Sequence, residues 1–167
     1  MFKAKALFWI IGLLLAGWIG YWVYLRLAPE ETKIEWLLDG MVKGFNSSRA
    51  AATVEGLAEG FEEETAHVSR SDVQQFLLYL FLNEREPKTK EFRFRVKLGK
   101  PSISLLPMEG DGQPRAELKL DAEFLELQGQ DFKPAWQVSI EAELEKLPEG
   151  WKVLRSRHRS LSGKRPF

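Results

Sequence analysis

The chain has 167 residues, with 24 Lys and Arg against 24 Asp and Glu, two His and no Cys. Zero net charge excludes a purely electrostatic nucleic-acid binder, and the missing thiols exclude disulfides, thiolate metal sites and cysteine nucleophiles. Two His do not make a histidine-rich metal centre, no Gly-rich phosphate loop is present, and the sequence leads us to expect no metal and no cofactor.

After a five-residue tail carrying Lys3 and Lys5, the stretch Ala6 to Leu25 reads ALFWIIGLLLAGWIGYWVYL, twenty residues without a charge. A helix of that length is about 30 Å long, the thickness of a bilayer's hydrocarbon core. This predicts one transmembrane helix over 6–25 and makes the lipid bilayer the first expected partner. A cleaved signal peptide would have a shorter apolar region and small residues at its exit. Here the exit reads Tyr24-Leu25-Arg26-Leu27-Ala28-Pro29. A buried helix of a soluble core would keep a polar stripe. Trp18, Tyr21, Trp22 and Tyr24 crowd one end, where amphipathic rings favour the headgroup zone. The compact basic tail at Lys3 and Lys5, set against an Arg26 followed by Glu30 and Glu31, places the N-terminus in the cytoplasm. The rest of the chain is then extracytoplasmic, periplasmic in a bacterium. Gly12, Ala16 and Gly20 recur every fourth residue, a small-residue face on which two membrane helices can pack as a homodimer.

A linker over 26–29 leads to one domain over 30–161, with a basic tail over 162–167. About 140 residues suit one core and not two. Ile34, Leu37, Leu38, Met41, Val42 and Phe45 recur at helical spacing, and Ser47 or Ser48 caps a second helix through Ala50, Ala51, Val54, Leu57, Ala58 and Phe61. Glu62 to Glu64 then form a solvated helix end. Ser71 and Gln74 fit a capping box for a third helix, whose Phe76, Leu77, Tyr79, Leu80, Phe81 and Leu82 make it the centre of the core.

From Phe92 the period changes to two. Phe92, Phe94, Val96 and Leu98, then Ala116 to Phe124, then Trp136 to Leu144 alternate with charged residues, and a last strand starts at Trp151. Turns fall at Met108–Pro114, Gly129–Pro134 and Pro148–Gly150. The fold class is therefore α+β: an N-terminal transmembrane helix, then three helices packed on a curved antiparallel β-sheet with one polar face. Trp136 and Leu80 are expected in the core.

The element order, with Ala50–Phe61, Ser71–Leu82 and Trp136–Ser160 as the segments that carry it, resembles the nuclear transport factor 2-like superfamily of cystatin-like cones. The resemblance covers Glu30 to Leu161. It implies helices packed into the concave face of the sheet and a pocket at the open end. It also implies either a dehydratase or isomerase for small apolar molecules, with an Asp or Glu base beside Tyr or His, or a non-catalytic binding or assembly module. Some such modules are anchored by one N-terminal membrane helix.

The candidate pocket residues are Tyr79, Trp136 and His158. Tyr79 sits on the core helix, where the plainer reading, and the one favoured over a pocket role, is a core aromatic with its hydroxyl at the rim. His67 lies in a polar loop and is expected in solvent. In the last strand the apolar signal changes face near Leu154, which marks a bulge and turns His158 toward the interior. The acidic residues on the recognised strands fall on the outer face, so no carboxylate partner for His158 emerges. The leading expectation is a non-enzymatic membrane-tethered module that binds a partner protein or a small apolar ligand. The alternative is a tethered dehydratase or isomerase. A carboxylate within hydrogen-bond reach of Tyr79 or His158 favours the alternative.

Overall fold

The computed structural model describes residues 13–15, 17–21, 23–24, 26–107 and 112–166. It divides into two compact units, Met1–Lys33 and Ile34–Phe167. In the first, the described residues up to 27 are helical, and their apolar side chains are open to solvent: Leu13, Leu14, Trp18, Tyr21 and Leu27 are all more than half exposed. Lys33 reaches back from the next helix to the Arg26 carbonyl at 3.2 Å and to Glu30 at 2.9 Å. Among the described residues no helix is long and apolar enough to cross a membrane. Half of the predicted span 6–25 lies outside the described residues.

The second unit holds the core. Helix α1 (Glu30–Asn46) enters it, followed by a short α2 (Ala50–Val54) and, after two strands, by α3 (Arg70–Asn83). The strands are β1 (Leu57–Glu63), β2 (Val68–Ser69), β3 (Phe94–Leu98), β4 (Ser102–Leu105), β5 (Arg115–Gln128), β6 (Asp131–Leu147) and β7 (Gly150–Gly163). Their order is β2-β1-β7-β6-β5-β3, with β4 also on β5.

Two expectations are corrected here. The second helix does not run through Phe61: it stops at Val54, and the chain becomes β1. Gly56 and Gly60 stand where a helix would need side chains, and each Gly weakens a helix by about 1 kcal/mol relative to Ala. The carbonyl of Gly56 instead accepts from the Val153 N–H at 2.9 Å. As a result the sheet is mixed rather than antiparallel, because β1 runs parallel to β7 while the other pairs are antiparallel.

The capping box moves by two residues. Ser69, not Ser71, caps α3, and Asp72 at N3 reaches back to the Ser69 N–H at 2.8 Å. Both serines precede a polar residue three positions on, but only Ser69 stands in the extended conformation that an N-cap needs.

Alternation on β5 and β6 is as the sequence predicts. Ala116, Leu118, Leu120 and Ala122 are buried, as are Trp136, Val138, Ala142 and Leu144. Leu77, Leu80 and Phe81 of α3 and Ile34, Leu38 and Phe45 of α1 close over them in one cluster. The sheet bends at bulges. Glu143 pairs with Arg155 and Leu144 with Val153, so Leu154 has no partner on β6. A second irregularity on β7 skips Leu161, and one on β6 skips Ala135. Extra residues of this kind bend a strand and sharpen its twist.

A carboxylate–histidine pair at the end of β1 and β7

The bulge at Leu154 decides which side chains of β7 face the helices. Before it, Trp151 and Val153 are buried; after it, Ser156 stands opposite Ala142, His158 opposite Ile140 and Ser160 opposite Val138. Without the extra residue, Arg155 and Arg157 would take the inner face. His158 is therefore turned inward, as the change of apolar face predicts.

Strand β1 supplies the partner that the sequence does not reveal. Phe61 is buried on the helix-covered face, and Glu63, two residues on, points the same way. Its Oε1 lies 2.9 Å from His158 Nδ1. The Glu63 side chain is only 13% exposed and that of His158 29%. The other carboxylate oxygen accepts the Ala66 N–H at 2.6 Å. Thr65 continues the parallel ladder beyond the end of β1 with its side chain: its hydroxyl accepts the His158 N–H at 3.2 Å and donates to the His158 carbonyl at 3.4 Å.

Burial pushes the Glu63 carboxyl up. The hydrogen bonds from the Ala66 N–H, His158 and Thr65 act the other way, outweigh it and hold the group below the ordinary carboxylate value. Glu63 is then an acceptor at neutral pH, so Nδ1 of a neutral His158 must carry the proton. This leaves Nε2 with a free lone pair.

Aromatic rings lead from the core to this pair. Phe81 and Phe92 meet edge to face at 4.9 Å, Phe92 and Phe45 at 5.5 Å, and Phe45 and Phe124 at 6.1 Å. Phe124 lies 5.1 Å from Trp136, and Trp136 lies 5.9 Å from the His158 ring at 89°. Trp136 donates its Nε1–H to Ser160 Oγ at 3.0 Å, which leaves the Ser160 proton available to another acceptor. Of the three predicted pocket residues, Trp136 and His158 are thus brought together. Tyr79 is not: it is 63% exposed on the far side of α3, because Leu77, Leu80 and Phe81 take the inward positions. His67 is in solvent, as expected, 3.6 Å from Glu62. Gly12 and Ala16 lie outside the described residues, and Gly20 has open space where a Cβ would stand. No group of His, Cys, Asp and Glu suited to a metal is found among the described residues.

The opposite face of the sheet carries a cleft of about 330 Å³ lined by charged residues, among them Glu117, Lys119, Glu141, Arg155 and Arg157. Glu141 bridges Lys119 at 3.1 Å and Arg157 at 2.7 Å. Cross-strand pairs of this kind set opposite charges side by side on this face.

No protein-family model and no curated protein matches the sequence. Solved structures do match the fold. A nuclear transport factor 2-like protein with a cystatin-like fold from Novosphingobium aromaticivorans superposes with a TM-score of 0.62 at 16% identity, covering 85% of this chain and 88% of that one. A protein of the same bacterium provisionally assigned as a scytalone dehydratase gives 0.60 at 10% identity, covering 80% and 85%. A provisionally assigned dehydratase of the nuclear transport factor 2-like family from Streptomyces avermitilis gives 0.56 at 11% identity, covering 79% and 96%. The chain thus has the nuclear transport factor 2-like, cystatin-like α+β fold.

Proposed function

We propose that this chain is a membrane-tethered acid–base enzyme of the dehydratase or isomerase type, acting on a small, largely apolar substrate with His158 as the base. The observation that carries this is the Glu63–His158 contact of 2.9 Å on the helix-covered side of the sheet. His158 Nε2 takes a proton from a carbon next to a carbonyl. The electron pair moves onto the carbonyl oxygen, where the Ser160 hydroxyl can donate a hydrogen bond. The imidazolium that forms is stabilised by the Glu63 carboxylate. Return of the proton to a different carbon completes an isomerisation; loss of a β-hydroxyl as water, protonated by the imidazolium, completes a dehydration. Fold neighbours provisionally assigned as dehydratases support this class.

The tether rests on the composition of Ala6–Leu25 and on the apolar side chains that its described residues leave uncovered. With the basic tail inside, the domain is extracytoplasmic. Full-length protein is expected to stay in the pellet after carbonate extraction of membranes; its recovery in the supernatant removes the anchor.

Proton exchange tests the chemistry, since abstraction is common to both reactions. Full-length protein is incubated in D₂O with a panel of enolisable ketones and β-hydroxy ketones, and deuterium at the α-carbon is read by NMR. Enhanced exchange that disappears in His158→Ala and falls in Glu63→Gln is expected. No exchange with any compound, or exchange that His158→Ala leaves intact, refutes it.

A second reading is favoured by a different observation. The interior is filled by side chains, with Phe94, Leu80, Leu118, Leu144 and Val138 among the most completely buried. A ligand pocket usually needs about 300 Å³ or more, and so filled a core suits a non-enzymatic module that engages a partner protein from outside. That reading predicts silence across the exchange panel together with recovery of a specific partner on crosslinking.

A further inference from the structure

Helix α3 keeps an apolar ridge in water. Its inward side, Leu77, Leu80 and Phe81, is buried, while on the other side Leu78, Tyr79 and Leu82 are 49%, 63% and 73% exposed. A helix lying on a core is normally polar at such positions. The chain that continues from this ridge is basic: residues 83–100 hold seven Lys and Arg against three Glu, in a protein of zero net charge.

All three of those Glu are engaged locally. Glu84 lies 3.4 Å from Arg93 and Glu91 lies 2.8 Å from Arg95. Glu86 turns its carboxylate onto the backbone N–H groups of Lys88 and Thr89, at 2.6 and 2.5 Å. Arg85, Lys88 and Lys90 are exposed, and among the described residues none has a carboxylate within 4 Å. Arg85 spends its guanidinium on the Phe81 and Lys90 carbonyls, which fixes the loop that presents the two lysines.

From this arrangement we infer that the Leu78–Tyr79–Leu82 ridge and its Arg85–Lys88–Lys90 flank dock on an anionic lipid surface. Apolar side chains that enter the headgroup boundary, a Tyr at its level and Lys or Arg beside them form the pattern of interfacial helices. Exposed cations favour an anionic bilayer over a neutral one, Lys90 less than the others because the nearby Glu86 charge acts on it. The inference rests in part on the anchored reading. Only residues 26–33 separate the apolar segment from the compact second unit, so an anchored chain keeps the domain near the bilayer at high effective concentration.

The protein has no Cys, so single labels can be placed on the full chain. A polarity-sensitive fluorophore at Gln75→Cys, on the exposed side of α3, reports the ridge; one at Glu117→Cys reports the outer sheet face. Each is reconstituted in phosphatidylcholine vesicles with and without phosphatidylglycerol and challenged with lipids brominated near the headgroup. Severalfold greater quenching at 75 than at 117 is expected. It should need phosphatidylglycerol, weaken with salt, and be lost in Leu78→Ser/Leu82→Ser and in Lys88→Glu/Lys90→Glu. These variants change only exposed side chains. Equal quenching at the two sites, or quenching indifferent to phosphatidylglycerol and to the variants, overturns the inference. So does shielding of residue 75 from aqueous iodide without lipid quenching, which assigns the ridge to a protein partner. Carbonate extraction of the same samples separates the two claims: a chain that leaves the pellet loses its anchor, while quenching at 75 from added vesicles still reports docking.

Discussion

The Glu63 carboxylate meets the His158 imidazole at 2.9 Å across 95 residues of sequence, and the contact exists because two strands run parallel there. Glu63 lies beside Ser156 in the ladder, and His158 is two residues further along β7 on the same face. A bulge at Leu154 and the two bonds of the Thr65 hydroxyl to the His158 backbone set that register.

This pair makes the domain sensitive to acid. Glu63 has its carboxyl held below the ordinary value, so the stabilisation is fully present above the unfolded carboxyl's pKa and is lost as pH falls through the lower, folded one. Asp72 and Glu141 are shifted in the same direction, by the Ser69 hydrogen bonds and by Arg157 and Lys119 respectively. Urea midpoints should therefore hold near neutral pH and fall on acidification below about pH 4, the ordinary carboxylate range. Glu63→Gln should lower the midpoint at pH 7 and flatten the acid dependence. An unchanged pH profile in that variant would show that the carboxylate is not held as described.

Two leucines on α3, two positions apart, should behave oppositely. Leu80 is 1% exposed, at the centre of the cluster that joins both helices to the sheet, whereas Leu82 is in solvent. Leu80→Ala should cost roughly 2–5 kcal/mol, as deletion of buried methyl groups does. Leu82→Ala should stay within about 0.5 kcal/mol. Chemical denaturation of both variants checks this, and equal costs would contradict the orientation of α3.

Much of the sheet is legible in the sequence because β3, β5 and β6 keep a strict two-residue period, with one face buried. Even the Leu154 bulge is visible, since the apolar residues change parity there. β1 is hidden for physical reasons. It follows a run of Ala that favours helix, and its register against β7 shifts between Leu57 and Glu62, which erases the period that would mark a strand. The overlooked signal is the Gly56–Gly60 pair. Missing β1 conceals half of the candidate site: with Glu62 to Glu64 read as a helix end, all three carboxylates seem solvated, while Glu63 is turned inward.

Gly44 records how closely α1 and α2 approach. A Cβ there would lie 2.7 Å from the Thr53 nitrogen and 2.8 Å from the Ala52 carbonyl carbon, both backbone atoms that cannot swing aside. Gly44→Ala would ordinarily favour a helix. Here it should destabilise by about 1–3 kcal/mol through overpacking. Thermal unfolding decides the sign, and a stabilised variant would mean that the two helices are not in contact at this point.

The last prediction concerns the edge of β3. That strand pairs with β5 on one side, and the groups of Val96 on its other side have no strand to meet. Asn46, the last residue of α1, takes the strand's place. Its Nδ2 donates to the Val96 carbonyl at 3.0 Å, and its Oδ1 accepts the Val96 N–H at 2.8 Å. One amide side chain thus satisfies both backbone groups, ties the end of α1 to the sheet and holds Phe45, the preceding residue, among the rings of Phe81, Phe92 and Phe124. Only an amide of this length offers a donor and an acceptor side by side. Asn46→Asp keeps the shape but loses the donor and sets a carboxylate against a carbonyl; Asn46→Leu loses both bonds. Each should cost about 1–3 kcal/mol, the usual penalty for leaving a partly buried backbone group unpaired. Hydrogen exchange supplies a site-specific readout: the Val96 amide should lose protection in Asn46→Leu but keep it in Asn46→Asp, whose carboxylate still accepts. Equal protection of Val96 in wild type and Asn46→Leu would show that the amide does not cap the strand edge.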